Sequence, residues 1–327
     1  MKAKAAAIAT DLDSTAAAEE LLAAKGSAAD AVVAAYFSMA ARSPGVLLAP
    51  AIALVGGAGA GARAFDGRAM QPGAGAARPR GTVPGETPPH QARAAAPRAP
   101  HMAILLHASH GRRSLRELTK GAAAAAREAG ARRRGDLLAQ LGEGGMPALG
   151  RASVAEPILA AASTNVGGLL TADDLAGARA DDQPARVSGK AAELRVVSEP
   201  WPSAGEARVS AVAAVDAWGL VAVLATFQTE QPGVAVPELE IELPAVAEPV
   251  RRGKTRVAPR TILPVPARVA LVDAGAALRA AVVFDGDPGD GPSLAEGLAP
   301  STWLAGWGAS IAALAESGSA RPWRRQE

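Results

Sequence analysis

Apolar residues fall into two patterns along the chain, divided by residues 200–219. Before this stretch, alanine-rich segments are punctuated by Ser, Thr and Gly in the manner of capped helices. After it, short apolar runs separated by Pro, Gly and Asp read as strands. The run Val209-Ser-Ala-Val-Ala-Ala-Val215, closed by Asp216-Ala-Trp-Gly219 and resumed as Leu220-Val-Ala-Val-Leu-Ala225, predicts a buried β-hairpin. Further strands are predicted at 234–236, 239–243, 265–272 and 280–284, with a helix at 303–315 and a frayed basic tail.

Ahead of the hairpin, residues 8–10 read as a short strand. A helix over 16–25 follows, capped by Asp13 or Ser14 and stopped by Gly26. Ser27 and Asp30 form a capping box that opens a second helix to about Met39. The alternating Gly and Ala of 56–61 predicts a hairpin turn; it lacks the Gly-Lys-Ser/Thr of a phosphate loop and the spacing of a dinucleotide fingerprint. Residues 73–100, rich in Pro, Gly, Ala and Arg, hold no hydrophobic period and predict a long loop. Ser114-Leu-Arg-Glu117 is a capping box for a helix to Gly130, and Arg132-Arg-Arg134 reads as a cationic complement to the C-terminus of that helix. Helices at 136–141 and 154–162 follow, then a glycine turn at 167–168 leading to a helix start capped by Thr171.

Composition narrows the chemistry. Among 327 residues, 34 Lys and Arg against 32 Asp and Glu leave a formal charge of +2, without the concentrated basic face of a nucleic-acid binder. Cysteine is absent, which removes disulfides, thiolate nucleophiles and Cys-based zinc sites. Only 3% of residues are aromatic, so the core must be built from small side chains at close backbone distances. The apolar run 5–9 is short for a secretory signal and no run reaches membrane-spanning length, so the expectation is a soluble cytoplasmic protein. His101, His107 and His110 lie close together, but no carboxylate stands at helical spacing from His107 and His110; a helix-end or surface cluster is favoured over a metal site. The loop 249–259, with Arg251, Arg252, Lys254 and Arg256, reads as a solvated turn in preference to an anion site. Asp285-Gly-Asp-Pro-Gly-Asp-Gly291 lacks the closing Glu of a calcium loop and reads as a turn. No cofactor is called for.

Several stretches, in order, resemble the gamma-glutamyltransferase family of N-terminal-nucleophile (Ntn) hydrolases. Residues 15–35 are similar to its opening helix pair, and Phe65-Asp-Gly-Arg68 to its Asp-x-Arg-Glu strand end. Val83-Pro-Gly-Glu86, the segment 110–118, Gly167-Gly-Leu-Leu-Thr-Ala-Asp-Asp-Leu175 and Val196-Val-Ser-Glu-Pro-Trp-Pro-Ser-Ala-Gly205 complete the set. The resemblance implies a four-layer αββα sandwich of two mixed sheets between helices. Residues 1–205 would correspond to the large-subunit half and 206–327 to the small-subunit half, together one compact uncleaved domain. In active members the precursor cuts itself before a threonine, whose freed amine serves as base for its own hydroxyl.

The resemblance breaks where that chemistry would sit. The family places a long helical stretch and a cleavable linker before its Thr-Thr-His-x-Ser-Val-x-Asp strand, whereas here Gly205 runs almost directly into it. Aligned on Val215-Asp216, the nucleophile position is Val209, the second threonine is Ser210 and the histidine is Ala211. The Ser-Ser-Gly loop falls on apolar 44–50, the substrate clamp on 262–265, and the segment that holds the substrate amine on 242–247. The oxyanion glycines fall on Gly289 and Asp290, and a carboxylate there would oppose a forming oxyanion. Arg68 survives, matching the arginine that grips the substrate α-carboxylate, though an internal ion pair is an equal reading. Three functions follow: a non-catalytic subunit that binds another protein or assembles with itself or an active relative; a divergent hydrolase or transferase using Ser210; and a binder of glutamyl-type small molecules through Arg68.

Overall fold

The computed structural model describes residues 4–57, 59–77, 81–191, 194–273, 278–286, 300–316 and 319–325. The chain opens with β1 (Ala6–Ala9), α1 (Leu12–Ala23), α2 (Ala28–Arg42) and a hairpin of β2 (Ala51–Gly57) and β3 (Ala60–Gly67). Helices α3 (Ala99–His110), α4 (Leu115–Glu128), α5 (Arg132–Gly144), α6 (Ala152–Ala162) and α7 (Ala172–Gly177) follow a long loop. Strands β4 (Asp181–Pro184), β5 (Arg186–Ala191) and β6 (Leu194–Ser198) lead to the hairpin β7 (Arg208–Val215) and β8 (Leu220–Gln228). The small pair β9 (Val234–Val236) and β10 (Ile241–Leu243) precedes β11 (Val269–Asp273), β12 (Leu278–Phe284), α8 (Pro300–Gly306), β13 (Ala309–Glu316) and β14 (Ser319–Arg324).

The strands form two six-stranded sheets, ordered β1-β7-β8-β2-β3-β4 and β14-β13-β12-β11-β6-β5. Odd residues of β7, Ala211, Ala213 and Val215, meet Ile311 and Ala313 of β13 in the core between the sheets. Even residues, Val212 and Ala214, face α2 and the other helices. On the outer face of the second sheet, Trp303, Leu304 and Trp307 at α8 cover Val272, Val282, Ala312 and Leu314. Four layers, αββα, result. The strand pairings within both sheets are antiparallel, so the sheets are not mixed.

The capping box of α2 forms as the spacing predicts, with Asp30 N–H donating to Ser27 Oγ at 3.1 Å and Ser27 N–H to Asp30 Oδ2 at 2.8 Å. The α1 cap is displaced: Asp11, not Asp13 or Ser14, accepts from Ser14 N–H at 2.8 Å. The stop differs too, because Lys25 takes the left-handed conformation at φ 60°. Arg132–Arg134 start α5 and do not complement α4. The N–H groups of Arg133 and Arg134 donate to Glu240 Oε2 at 3.0 and 3.4 Å, so a carboxylate serves the open donors of the α5 N-terminus.

The predicted helix at 303–315 is short and gives way to β13 and β14, which replace the frayed tail. Gly308, at φ 87°, reverses the chain there. Asp216 anchors the central hairpin. Its carboxylate accepts from Trp218 N–H at 2.9 Å, Leu220 N–H at 3.0 Å and Ala28 N–H at 3.1 Å, joining the β7–β8 turn to the start of α2.

Candidate functional site

The foot of β7 is where the resemblance places catalysis. Because side chains alternate across a strand, Val209 shares the inward face of Ala211, and Ser210 shares the opposite face with Val212. Val209 is half-buried and belongs to the same apolar cluster as Ala207, Trp201, Phe227 and Val265. It pairs across the ladder with Phe227, whose N–H donates to Pro50 O at 2.8 Å. The position to which the resemblance assigns the nucleophile thus carries a hydrocarbon side chain at the end of the inter-sheet core.

Ser210 pairs with Thr226, whose hydroxyl donates to Ser210 O at 3.2 Å. Among the described residues no histidine is hydrogen-bonded to Ser210. His90 Nε2 lies 3.2 Å from Gly233 O, and His107 Nε2 lies 2.7 Å from Arg113 O. His110 meets the edge of Phe65, and His101 faces α7. The histidines of α3 thus point to separate partners. Among the described residues no group of three His, Cys, Asp or Glu side chains is placed to hold a metal ion.

Arg68 leaves the end of β3 and folds back on Asp66. Its Nε and Nη2 donate to Oδ1 and Oδ2 of Asp66, each at 3.0 Å, and its own backbone N–H donates to Oδ1 at 3.0 Å. The guanidinium carbon sits 4.5 Å from the centre of the Trp201 ring. Arg98 completes the cluster, with Nη1 3.1 Å from Asp66 Oδ2 and Nε donating to Arg179 O at 2.7 Å. Burial alone would raise the Asp66 pKa, but the Arg68 hydrogen bond and the charges of Arg98 and Arg68 override it and hold the carboxyl below its usual range. An internal carboxylate thus takes the edge of Arg68 that a substrate carboxylate would engage. The i, i+2 spacing of Asp66 and Arg68 in a strand end was the sequence signal for this pair; Trp201 and Phe227 gave none.

The other mapped segments are structural where they are described. Val46, Leu47 and Leu48 are buried, and Tyr36 donates its hydroxyl proton to Leu47 O. Leu263 N–H donates to Ala69 O at 2.9 Å. In 242–247, Glu242 accepts from Gly233 N–H at 3.0 Å and Ala247 N–H donates to Arg93 O at 2.8 Å. Gly289 and Asp290 lie outside the described residues, as does most of the 285–291 turn. Arg251, Arg252 and Lys254 are exposed, as a solvated loop requires, but Arg256 is half-buried, with Nε and Nη2 enclosed and without a hydrogen-bond partner. An open cavity of about 240 Å³ remains beside the foot of the hairpin, with Gly45, Arg208, Gln228, Glu230 and Glu242 on its wall. Among the described residues no helix is long and apolar enough to cross a membrane.

No protein-family model and no curated protein matches the sequence. Solved structures do match. A threonine-to-alanine variant of the protein LmbA2991 is similar at 15% identity, over 87% of this chain and 79% of its own, with a TM-score of 0.66. A cephalosporin acylase from Bacillus halodurans is similar at 14% identity over 82% and 77%, with a TM-score of 0.61. A gamma-glutamyltranspeptidase from Helicobacter pylori aligns over 60% and 70% at 17% identity; its TM-score of 0.48 adds nothing to the assignment. At these identities the likeness concerns the backbone alone, and the chain has the αββα sandwich of the Ntn hydrolases.

Proposed function

We propose that this protein is a non-catalytic relative of the gamma-glutamyltransferases, a sandwich that acts as a binding or assembly subunit with a partner protein, a second copy or an active relative. The observation that carries this reading is the environment of Val209. Acyl transfer by this fold needs a hydroxyl at the head of the strand and a base within hydrogen-bond reach. Here the mapped position offers the isopropyl group of Val209, packed in one cluster with Trp201, Phe227 and Val265. In an assembly, the subunit contributes shape and stability.

Two competing readings have less support. Ser210 follows two residues of the same strand and has no histidine partner among the described residues. Arg68 would have to turn the edge that Asp66 holds toward a glutamyl carboxylate, giving up a buried ion pair.

Incubation with a γ-glutamyl anilide or glutathione should give no turnover above background. Mass spectrometry of the purified protein should show one species of 32.7 kDa. Turnover that Ser210→Ala abolishes and Val209→Ala leaves intact, or two fragments split before Ser210, would overturn the proposal.

A further inference from the structure

A second cavity, of about 400 Å³, lies in the helical layer away from β7, between α3, the short turn Met146–Gly150, α6 and α7. Its size falls in the range of small-molecule sites. Leu48, Met146, Leu149, Ile158, Leu159 and Leu175 supply most of an apolar wall. Two polar side chains enter it, His101 and Arg179.

His101 Nδ1 is buried with no hydrogen-bond partner. Burial pushes the imidazole pKa down to about 4; the backbone of Ala178 opposes this, and the charges of Arg179 and Arg98 reinforce it. Nδ1 is itself enclosed, so the ring borders the chamber as an uncharged group beside two cations. Arg98 is neutralised by Asp66, but Arg179 has no acidic partner among the described residues and stands exposed at the mouth. An apolar chamber with an unneutralised cation at its entrance complements an acid with a hydrocarbon tail. An amine would place like charge against Arg179 and Arg98.

We propose that this cavity binds a small apolar monocarboxylic acid. The hydrocarbon tail lies among the leucines and the carboxylate faces Arg179. The site does not depend on the absence of catalysis at β7.

Titration calorimetry with octanoate should show saturable one-site binding, and octylamine should show none. Arg179→Met, at an exposed position, should weaken octanoate by about tenfold or more. Leu159→Trp, which places an indole in the chamber, should abolish binding while circular dichroism stays unchanged. Absence of saturable octanoate binding to the folded protein, equal binding of octylamine, or an unchanged affinity in Arg179→Met would overturn the proposal.

Discussion

Asp66 carries more of the site than any residue the resemblance singles out. It holds two arginines, and its own backbone neighbour, with side chains that are almost wholly buried. Removing one partner of such a cluster strands charge in a low-dielectric setting, which costs about 3–5 kcal/mol. Asp66→Asn should therefore lower the urea midpoint strongly, and Arg68→Met less, because Arg98 still neutralises the carboxylate. The sign of the pH dependence follows from the lowered pKa. A carboxyl more acidic when folded than unfolded stabilises fully above its unfolded pKa and loses that contribution as pH falls through the folded value. The wild-type protein should accordingly lose stability on acidification through the carboxylate range, and Asp66→Asn should lose less over the same interval. Equal urea midpoints for wild type and Asp66→Asn at neutral pH would show that the cluster is not a structural element. The sequence made Arg68 legible as a retained cation because its motif is local. Its engagement was left open, since Trp201 and Arg98 reach it through the fold from distant positions.

Local chemistry made several helix starts legible, although the cap of α1 falls on Asp11 and at Ser114 only the Glu117 N–H to Ser114 Oγ half of the predicted box forms. Ser27 with Asp30, and Thr171 with Asp174, announce helix starts through side chains three residues apart, and both form complete capping boxes. Strand β13 departs from the predicted helix for a physical reason. Its inward residues Ile311 and Ala313 and its outward residues Ala312 and Leu314 are all buried, so no polar alternation marks it as a strand. The edge strand β4, Asp-Asp-Gln-Pro, fails in the opposite way, with too little apolar character to register. Close packing between elements is the other feature that composition foretold. At Gly67 an added Cβ would lie 2.8 Å from Met102 Cβ, 3.0 Å from Ala51 O and 3.1 Å from Ala99 Cα, so α3 rests directly on the β2–β3 ladder. Gly67→Ala forces that contact open and should destabilise the protein by about 1–3 kcal/mol, the range for overpacking. Thermal unfolding measures it, and a midpoint at or above that of the wild type would contradict the close approach.

At the scale of the molecule, the two halves that the resemblance distinguishes do not form separate bodies. β7 and β8, from the second half, lie between β1 and β2 of the first, while β5 and β6, from the first half, complete a sheet otherwise made from the second. Residues 1–205 alone would leave α2 without the strands it covers and β1 without any partner; residues 206–327 alone would expose the apolar face of β7 that α2 buries. A sheet lacking its central strands cannot satisfy their backbone groups. Each half expressed separately should therefore give only low amide-exchange protection and aggregate, and mixing the two from denaturant should restore exchange protection in β7 and β8. Cooperative unfolding by residues 206–327 in isolation would refute this and make the second half a domain of its own. The same topology explains why order along the chain revealed the sandwich while the surroundings of Val209 stayed hidden. The strand order rests on patterns that each occupy a short stretch, whereas the apolar cluster at Val209 draws on residues 201, 227 and 265, which meet only once both sheets have closed.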